Sequence, residues 1–309
     1  MIIRDSKGMS FAVSTEHLTK RYGATTVVNE LNLRIPEGCV YGFLGPNGSG
    51  KSTTMKMLLS LIRPSNGTIE IFGEAMTRHT RRKLLAGIGS LIESPPGYGH
   101  LTGAENMRVM QRLMGLSDQQ ISFAIDTVRL REQMNKKVRN YSLGMKQRLG
   151  IAMAMARQPR LLILDEPTNG LDPAGIDEIR HLLRHLAEGG VTVMVSSHLL
   201  GEVDKTANVL GILSGGQMLF QGTREELFTA STPDLRLSTA DPRHTRSLLN
   251  GVADAHIESG TVRVSGLDNT GASQLIRHLV NADDEIYEAR REEQSLEDVF
   301  MHLTSGGGL

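Results

Sequence analysis

The sequence is poor in cysteine, in aromatic residues and in net charge. One residue of 309 is cysteine, none is tryptophan, and 34 basic side chains balance 34 acidic ones. A single cysteine excludes an internal disulfide and fits a reducing compartment. A formal net charge of zero argues against a general nucleic-acid-binding protein. Hydrophobic and charged fractions of 39% and 22% favour an ordinary soluble protein.

Long apolar runs are also absent. No stretch approaches the roughly 18–20 apolar residues of a membrane span, and residues 1–10 lack the apolar segment of a signal peptide. We therefore expect any role at a membrane to depend on a partner chain. A length of 309 residues exceeds what one compact core usually fills, which predicts two domains or a domain with an appendage.

A glycine-rich segment fits the pattern G-x-x-x-x-G-K-[ST], between a predicted strand at residues 38–44 and a predicted helix at residues 52–61. Backbone N–H groups can surround a triphosphate only where few Cβ atoms intrude, and the helix N-terminus adds a favourable dipole. The segment therefore predicts a nucleotide site. Its residues are Gly45, Pro46, Asn47, Gly48, Ser49, Gly50, Lys51, Ser52 and Thr53.

Four side chains are candidates for the chemistry at this site. We expect Lys51 to reach the β- and γ-phosphates and the Ser52 hydroxyl to bind Mg²⁺. The apolar strand at residues 161–164 ends in Asp165 and Glu166, and a buried parallel strand delivers both acids to the edge where the phosphate loop lies. We expect Asp165 to hold Mg²⁺ and Glu166 to act as the base for the attacking water. Two acids that merely end a strand are the alternative.

Two further side chains are candidates for contacts with the nucleotide. Tyr22 lies in a predicted turn ahead of the phosphate loop, where it can stack on a base; a tyrosine packed on the surface is the alternative. His198 follows the predicted buried strand at residues 191–197. It leaves the sheet on the same edge as Glu166, which makes it a candidate contact for the γ-phosphate.

The remaining chain predicts a helical insert and an α+β appendage. Helical periodicity runs from residue 102 to 158 with three helices and no strand. Met107, Met110 and Met114 share a face of the first helix, either as a core stripe or as a docking surface for a partner helix. From residue 223 onward the predicted order β-α-β-β-α-β, closed by a helix, suggests a small ferredoxin-like domain.

In identity, order and spacing these motifs resemble those of the ATP-binding subunit of ATP-binding-cassette (ABC) transporters. Tyr22 falls where that family stacks adenine, and His198 resembles its switch histidine. The other matches are residues 45–53 with the Walker A motif, 161–166 with Walker B, 169–172 with the D-loop and 141–148 with the signature motif. The resemblance covers roughly residues 12–222.

Within the signature motif, Ser142 and Gly144 can aim a hydroxyl and a backbone N–H at the γ-phosphate across a dimer. Leu143 and Met145 depart from the family pattern there. Glu93 stands where most cassettes have a Mg²⁺-binding glutamine that senses the membrane partner. The resemblance therefore adds Glu93 to the metal ligands, where its charge would favour Mg²⁺ and repel the γ-phosphate. Residues 213–217 have the sequence Leu-Ser-Gly-Gly-Gln, which matches the family's signature motif letter for letter. Their position downstream of the catalytic strand predicts a hairpin turn instead.

The resemblance implies an α/β P-loop ATPase core with an antiparallel β subdomain and a helical insert. It implies an ABC ATP-binding domain at residues 1–222, with its helical subdomain at about 94–158, and a regulatory or dimerisation domain at 223–309. It also implies ATP and Mg²⁺ as cofactors, a homodimer that sandwiches the nucleotides, and a separate integral-membrane permease.

Residues 141–148 and 296–300 look most like exporters of the bacitracin-resistance and lantibiotic-immunity type. The implied place is the cytoplasmic face of the cell membrane, reached through the permease. A soluble cassette ATPase that acts on ribosomes or DNA, or an importer cassette, are the alternatives.

Overall fold

The computed structural model describes residues 10–93, 95–197, 201, 203, 205–230, 233–292 and 296–304. By its internal contacts the chain divides into two compact units, Met1–Arg224 and Glu225–Leu309. Among the residues described, no helix is both long and apolar enough to cross a membrane.

The first unit contains eleven named strands and six named helices within its described residues. The strands are β1 Phe11–Tyr22, β2 Thr25–Leu31, β3 Arg34–Pro36, β4 Val40–Leu44, β5 Asn66–Ile71, β6 Glu74–Ala75, β7 Ile88–Leu91, β8 Leu161–Asp165, β9 Thr192–Ser197, β10 Val209–Ser214 and β11 Gln217–Thr223. The helices are α1 Lys51–Leu58, α2 Arg81–Ala86, α3 Gly103–Met114, α4 Asp118–Thr127, α5 Leu143–Met155 and α6 Pro173–Glu188.

The central sheet has the order β11-β10-β4-β9-β8-β7, and all its pairings are parallel except that of β11 with β10. Its inner strands are mainly apolar, and every residue of β4 and β9 is buried, as expected for a parallel sheet covered on both faces. Leu44 pairs with Ser197, and Asp165 pairs with Ser196. The phosphate loop and the two acids therefore leave the sheet at the same edge.

A second, antiparallel sheet has the order β2-β1-β5-β6, with β3 also paired to β1. Strand β1 continues through Tyr22, which pairs with Thr25. The predicted turn at residues 20–23 is therefore wrong: the chain reverses at residues 23–24, because hydrogen bonding to β2 extends the strand. The turn at Gly215 and Gly216 joins β10 to β11 in an antiparallel hairpin, which confirms the prediction for residues 213–217.

The three predicted helices of the insert are confirmed as α3, α4 and α5. Polar caps fix where they begin: Thr102 and Glu105 form a capping box for α3, Ser117 and Gln120 do so for α4, and Ser142 caps α5. The methionine stripe grades from the core to the surface. Met107 is fully buried, Met110 is half-buried and Met114 is exposed, so only the first part of the stripe is core.

Helix α7 Arg224–Ala230 follows β11, and the second unit then has the predicted β-α-β-β-α-β order. Its elements are β12 Asp234–Thr239, α8 Pro242–Leu248, β13 Ala255–Glu258, β14 Thr261–Val264, α9 Asn269–Asn281, β15 Ile286–Glu292 and α10 Leu296–Thr304. The antiparallel sheet order β13-β14-β12-β15 is that of a ferredoxin-like fold. Leu237, Val262 and Leu279 are fully buried in its core.

Candidate nucleotide-binding site

The phosphate loop joins β4 to α1 and has no room for side chains at its two ends. A Cβ on Gly45 would lie 2.4 Å from the backbone oxygen of Leu213. Gly50 precedes α1 with a left-handed φ of 104°, and a Cβ there would lie 2.8 Å from the backbone oxygen of Val27. Both positions need glycine, which leaves the N–H groups of the loop and of the first helical turn accessible to an anion.

The Lys51 side chain folds over this loop. Its Nζ donates hydrogen bonds to the backbone oxygens of Gly45, at 2.7 Å, and Pro46, at 3.2 Å. Burial lowers the pKa of Lys51, whereas the negative charges of Glu166 and Asp165 act in the opposite direction. The ammonium group is therefore already positioned between the loop and the two acids, and a phosphate can replace its backbone partners.

A cavity of about 150 Å³ opens beside the loop. It brings Glu166 together with six of the nine predicted loop residues. The lining residues are Val27, Asn47, Gly48, Gly50, Lys51, Ser52, Thr53 and Glu166. The carboxylate proposed as a base therefore shares one cavity with the groups proposed to hold the phosphates.

Strand β9 holds the two acids through Ser196, which sequence reasoning missed. The Ser196 hydroxyl donates to Oδ1 of Asp165 at 2.5 Å and accepts from the backbone N–H of Glu166 at 2.9 Å. Glu166 has a left-handed φ of 47°, a conformation that costs of order 1–3 kcal/mol and is typical of functional sites. The sequence feature that could have identified Ser196 was a serine within a predicted buried strand. Such a hydroxyl needs a partner.

Tyr22 is half-exposed at the end of β1, with the Nζ of Lys20 4.9 Å from its ring centroid. One face of the ring thus meets a cation, and the exposed half of the side chain is available for stacking. His198 lies outside the described residues.

Glu93 follows β7, the neighbour of β8 in the central sheet, and has a left-handed φ of 70°. Its Oε1 lies 2.5 Å from the Nζ of Lys56, a residue of α1 that sequence reasoning did not single out. The hydrogen bond from Lys56 lowers the pKa of Glu93, and the same bond raises the pKa of Lys56. Lys56 lies one helical turn after Ser52, and that spacing could have identified Lys56 as a neighbour of the predicted metal ligand.

The described residues contain no cluster of three or more His, Cys, Asp or Glu side chains that could hold a metal by themselves. Mg²⁺ does not require such a cage, because it keeps several waters and is usually bound by one or two carboxylates plus substrate phosphates. The hydroxyl of Ser52 and the carboxylate of Asp165 are oxygen donors of the right kind. The donor set therefore fits Mg²⁺ that arrives with a nucleotide.

The signature segment begins α5 away from this cavity. The Ser142 hydroxyl accepts a hydrogen bond from the backbone N–H of Met145 at 3.2 Å, and its side chain is exposed. Ser142 and Gly144 are not among the residues that line the cavity of their own chain. Leu143 packs against the D-loop: a Cβ on Gly170 would lie 2.9 Å from its Cδ2. The motif thus presents the Ser142 side chain outward.

Comparisons with known proteins agree with this geometry. A family model described as "ABC transporter" matches residues 28–169. The chain is 39% identical over 306 residues to the bacitracin transport ATP-binding protein BcrA of Enterococcus faecalis, covering 97% of this chain and 99% of the relative.

It is 43% identical over 206 residues to the lantibiotic transport ATP-binding protein SrtF of Streptococcus pyogenes, covering 67% of this chain and 88% of the relative. Among solved structures, cbiO1 from Clostridium perfringens, described as part of the ABC transporter complex cbiONQ, matches with a TM-score of 0.66. That match has 25% identity and covers 79% of this chain and 96% of the other.

Proposed function

This chain belongs to the ABC transporter family as an ATP-binding subunit, and we propose that the membrane permease it powers exports an antimicrobial peptide, an antibiotic or another drug. One observation carries the cargo class: a bacitracin transport ATP-binding protein is similar over almost the whole length of both chains. The export direction follows from the resemblance of residues 141–148 and 296–300 to export cassettes. The chain is an ATPase, so the energy for transport comes from ATP hydrolysis.

The arrangement supports a homodimer that closes around two nucleotides. Each ATP would lie between the phosphate loop of one protomer and Ser142 and Gly144 of the other. The support is that Ser142 is exposed and lies outside the cavity of its own chain. ATP that contacts both protomers favours the closed dimer, and hydrolysis removes that preference, which is a population shift driven by a ligand.

Within each site we assign roles by position. Ser52 and Asp165 would hold Mg²⁺, which when bound neutralises charge on the phosphates. Lys51 would exchange its backbone partners for the β- and γ-phosphates, and Glu166 would take the proton of the attacking water. Tyr22 would stack on adenine, Glu93 would provide a further metal contact and His198 would contact the γ-phosphate.

The two-domain assignment follows the same reasoning. We propose residues 1–222 as the ATP-binding domain, with a helical subdomain at about 94–158, and residues 223–309 as a regulatory or dimerisation domain. The proposed place of action is the cytoplasmic face of the cell membrane. There the cleft between residues 93–98 and the helical insert would pass the motion of the dimer to the permease.

Purification of the tagged full chain from detergent-solubilised membranes of its own cells tests this function. We expect an integral-membrane protein to co-purify and to stimulate ATP hydrolysis. Resistance of those cells to peptide or drug export substrates should fall when the gene is deleted. Co-sedimentation with ribosomes, without any membrane partner, would overturn the proposal in favour of a soluble cassette ATPase.

A further inference from the structure

Lys56 connects two parts of the site that are far apart in sequence. It lies on α1, one turn after Ser52, and its Nζ is 2.5 Å from Oε1 of Glu93. The ion pair therefore joins α1 to the segment that follows β7.

An ion pair on a protein surface usually contributes little to stability, and this chain contains a second such pair for comparison. Lys83 and Glu74 form a pair of the same type at the same distance of 2.5 Å, outside the residues proposed to bind nucleotide. What sets the Lys56–Glu93 pair apart is its place. Leu91 pairs with Leu164 in the central sheet, so Glu93 and Asp165 leave neighbouring strands at one edge.

A carboxylate at that edge has two possible cationic partners. One is the Lys56 ammonium, which is already in contact. The other is the Mg²⁺ that the proposed function places beside Ser52 and Asp165. A carboxylate oxygen that accepts a hydrogen bond from an ammonium has less electron density to offer a metal, and each partner weakens the hold of the other.

We infer that Lys56 is a positioning residue for Glu93, which holds the carboxylate when no metal is bound and yields it to Mg²⁺ when the nucleotide arrives. This inference rests on the proposed function of the site. The consequence is that phosphates entering without metal meet a neutral ammonium–carboxylate pair instead of a bare carboxylate. Lys56 thereby offsets the repulsion that an acid at position 93 would otherwise exert on the γ-phosphate.

Binding of a fluorescent, non-hydrolysable ATP analogue to the full chain tests this without relying on activity. The quantity of interest is the Kd in EDTA divided by the Kd in Mg²⁺, which measures the coupling between metal and nucleotide. We expect Lys56→Gln to raise this ratio roughly twofold to fivefold, the range that an exposed ion pair supports. In the Glu93→Gln background, Lys56→Gln should leave the ratio unchanged, because the carboxylate for which it competes is gone.

Two further variants separate positioning from a general charge effect. Lys56→Arg keeps the ion pair and should keep a ratio near that of the wild type, and Lys83→Gln removes the pair with Glu74 and should also leave the ratio unchanged. The inference is overturned if Lys56→Gln has the same effect with and without Glu93. If the wild-type chain does not bind the analogue under either condition, the proposed function fails instead.

Discussion

Replacing Gly45 with alanine should damage nucleotide binding through the shape of the phosphate loop alone. The added Cβ would lie 2.4 Å from the backbone oxygen of Leu213 and 2.5 Å from Oγ of Ser49. Leu213 belongs to β10, which is hydrogen-bonded on both sides, so the loop must give way. Overpacking of this kind lowers the free energy of unfolding by about 1–3 kcal/mol. A displacement of about 1 Å in a site that positions its ligand can lower the reaction rate about 10²-fold.

We therefore expect Gly45→Ala to weaken binding of the fluorescent ATP analogue at least about tenfold and to lower the midpoint of thermal unfolding. Gly87→Ala is the matched control, because the nearest atom to its added Cβ is 3.6 Å away, an ordinary contact. Gly87→Ala should bind nucleotide as the wild type does. If Gly45→Ala also binds with wild-type affinity, the claim that the loop has no room for a side chain is wrong.

Three other predictions follow from the structure. Tyr22→Ala should weaken ATP binding roughly 5–150-fold, from a stacking free energy of about 1–3 kcal/mol, whereas Tyr22→Phe should bind normally in the same titration. Burial raises the pKa of Cys39 to about 12, so at pH 8 its thiol should react with a disulfide reagent roughly 10³-fold more slowly in the native chain than in the unfolded chain, as judged from the thiolate fraction. Arg263→Met deprives Asp234, which is 2% exposed, of an ion pair at 2.6 Å, and should lower the free energy of unfolding by about 3–5 kcal/mol in denaturant titrations. Arg290→Met, at an exposed pair, should cost at most about 1 kcal/mol.

The sequence was sufficient for the parallel sheet and for the groups that follow its strands. Strands β4, β8 and β9 are mainly apolar segments, so their burial and the common edge of their carboxyl ends follow from pattern alone. The βαββαβ order of the second unit was also readable. In both cases each element carries its own signal, which does not depend on a distant partner.

Contacts between distant segments could not be predicted in the same way. The α1 sequence places Lys56 one turn after Ser52 but does not indicate that Lys56 meets Glu93, since that contact depends on where β7 lies beside β8. Ser196 reads as part of a buried strand until the register places it opposite Asp165. The strand end at Tyr22 was missed because cross-strand hydrogen bonds, which local composition does not encode, extend β1 beyond the predicted turn.

The most direct test of the central claim uses Glu166→Gln, which keeps the shape of the side chain and removes the base. The account predicts that turnover falls roughly 10²–10⁴-fold, equivalent to about 3–5.5 kcal/mol in the barrier. It also predicts that the variant runs as a dimer on gel filtration in ATP and Mg²⁺. A variant that dimerises but hydrolyses ATP at the wild-type rate would contradict the role of Glu166, and one that never dimerises would contradict the nucleotide sandwich.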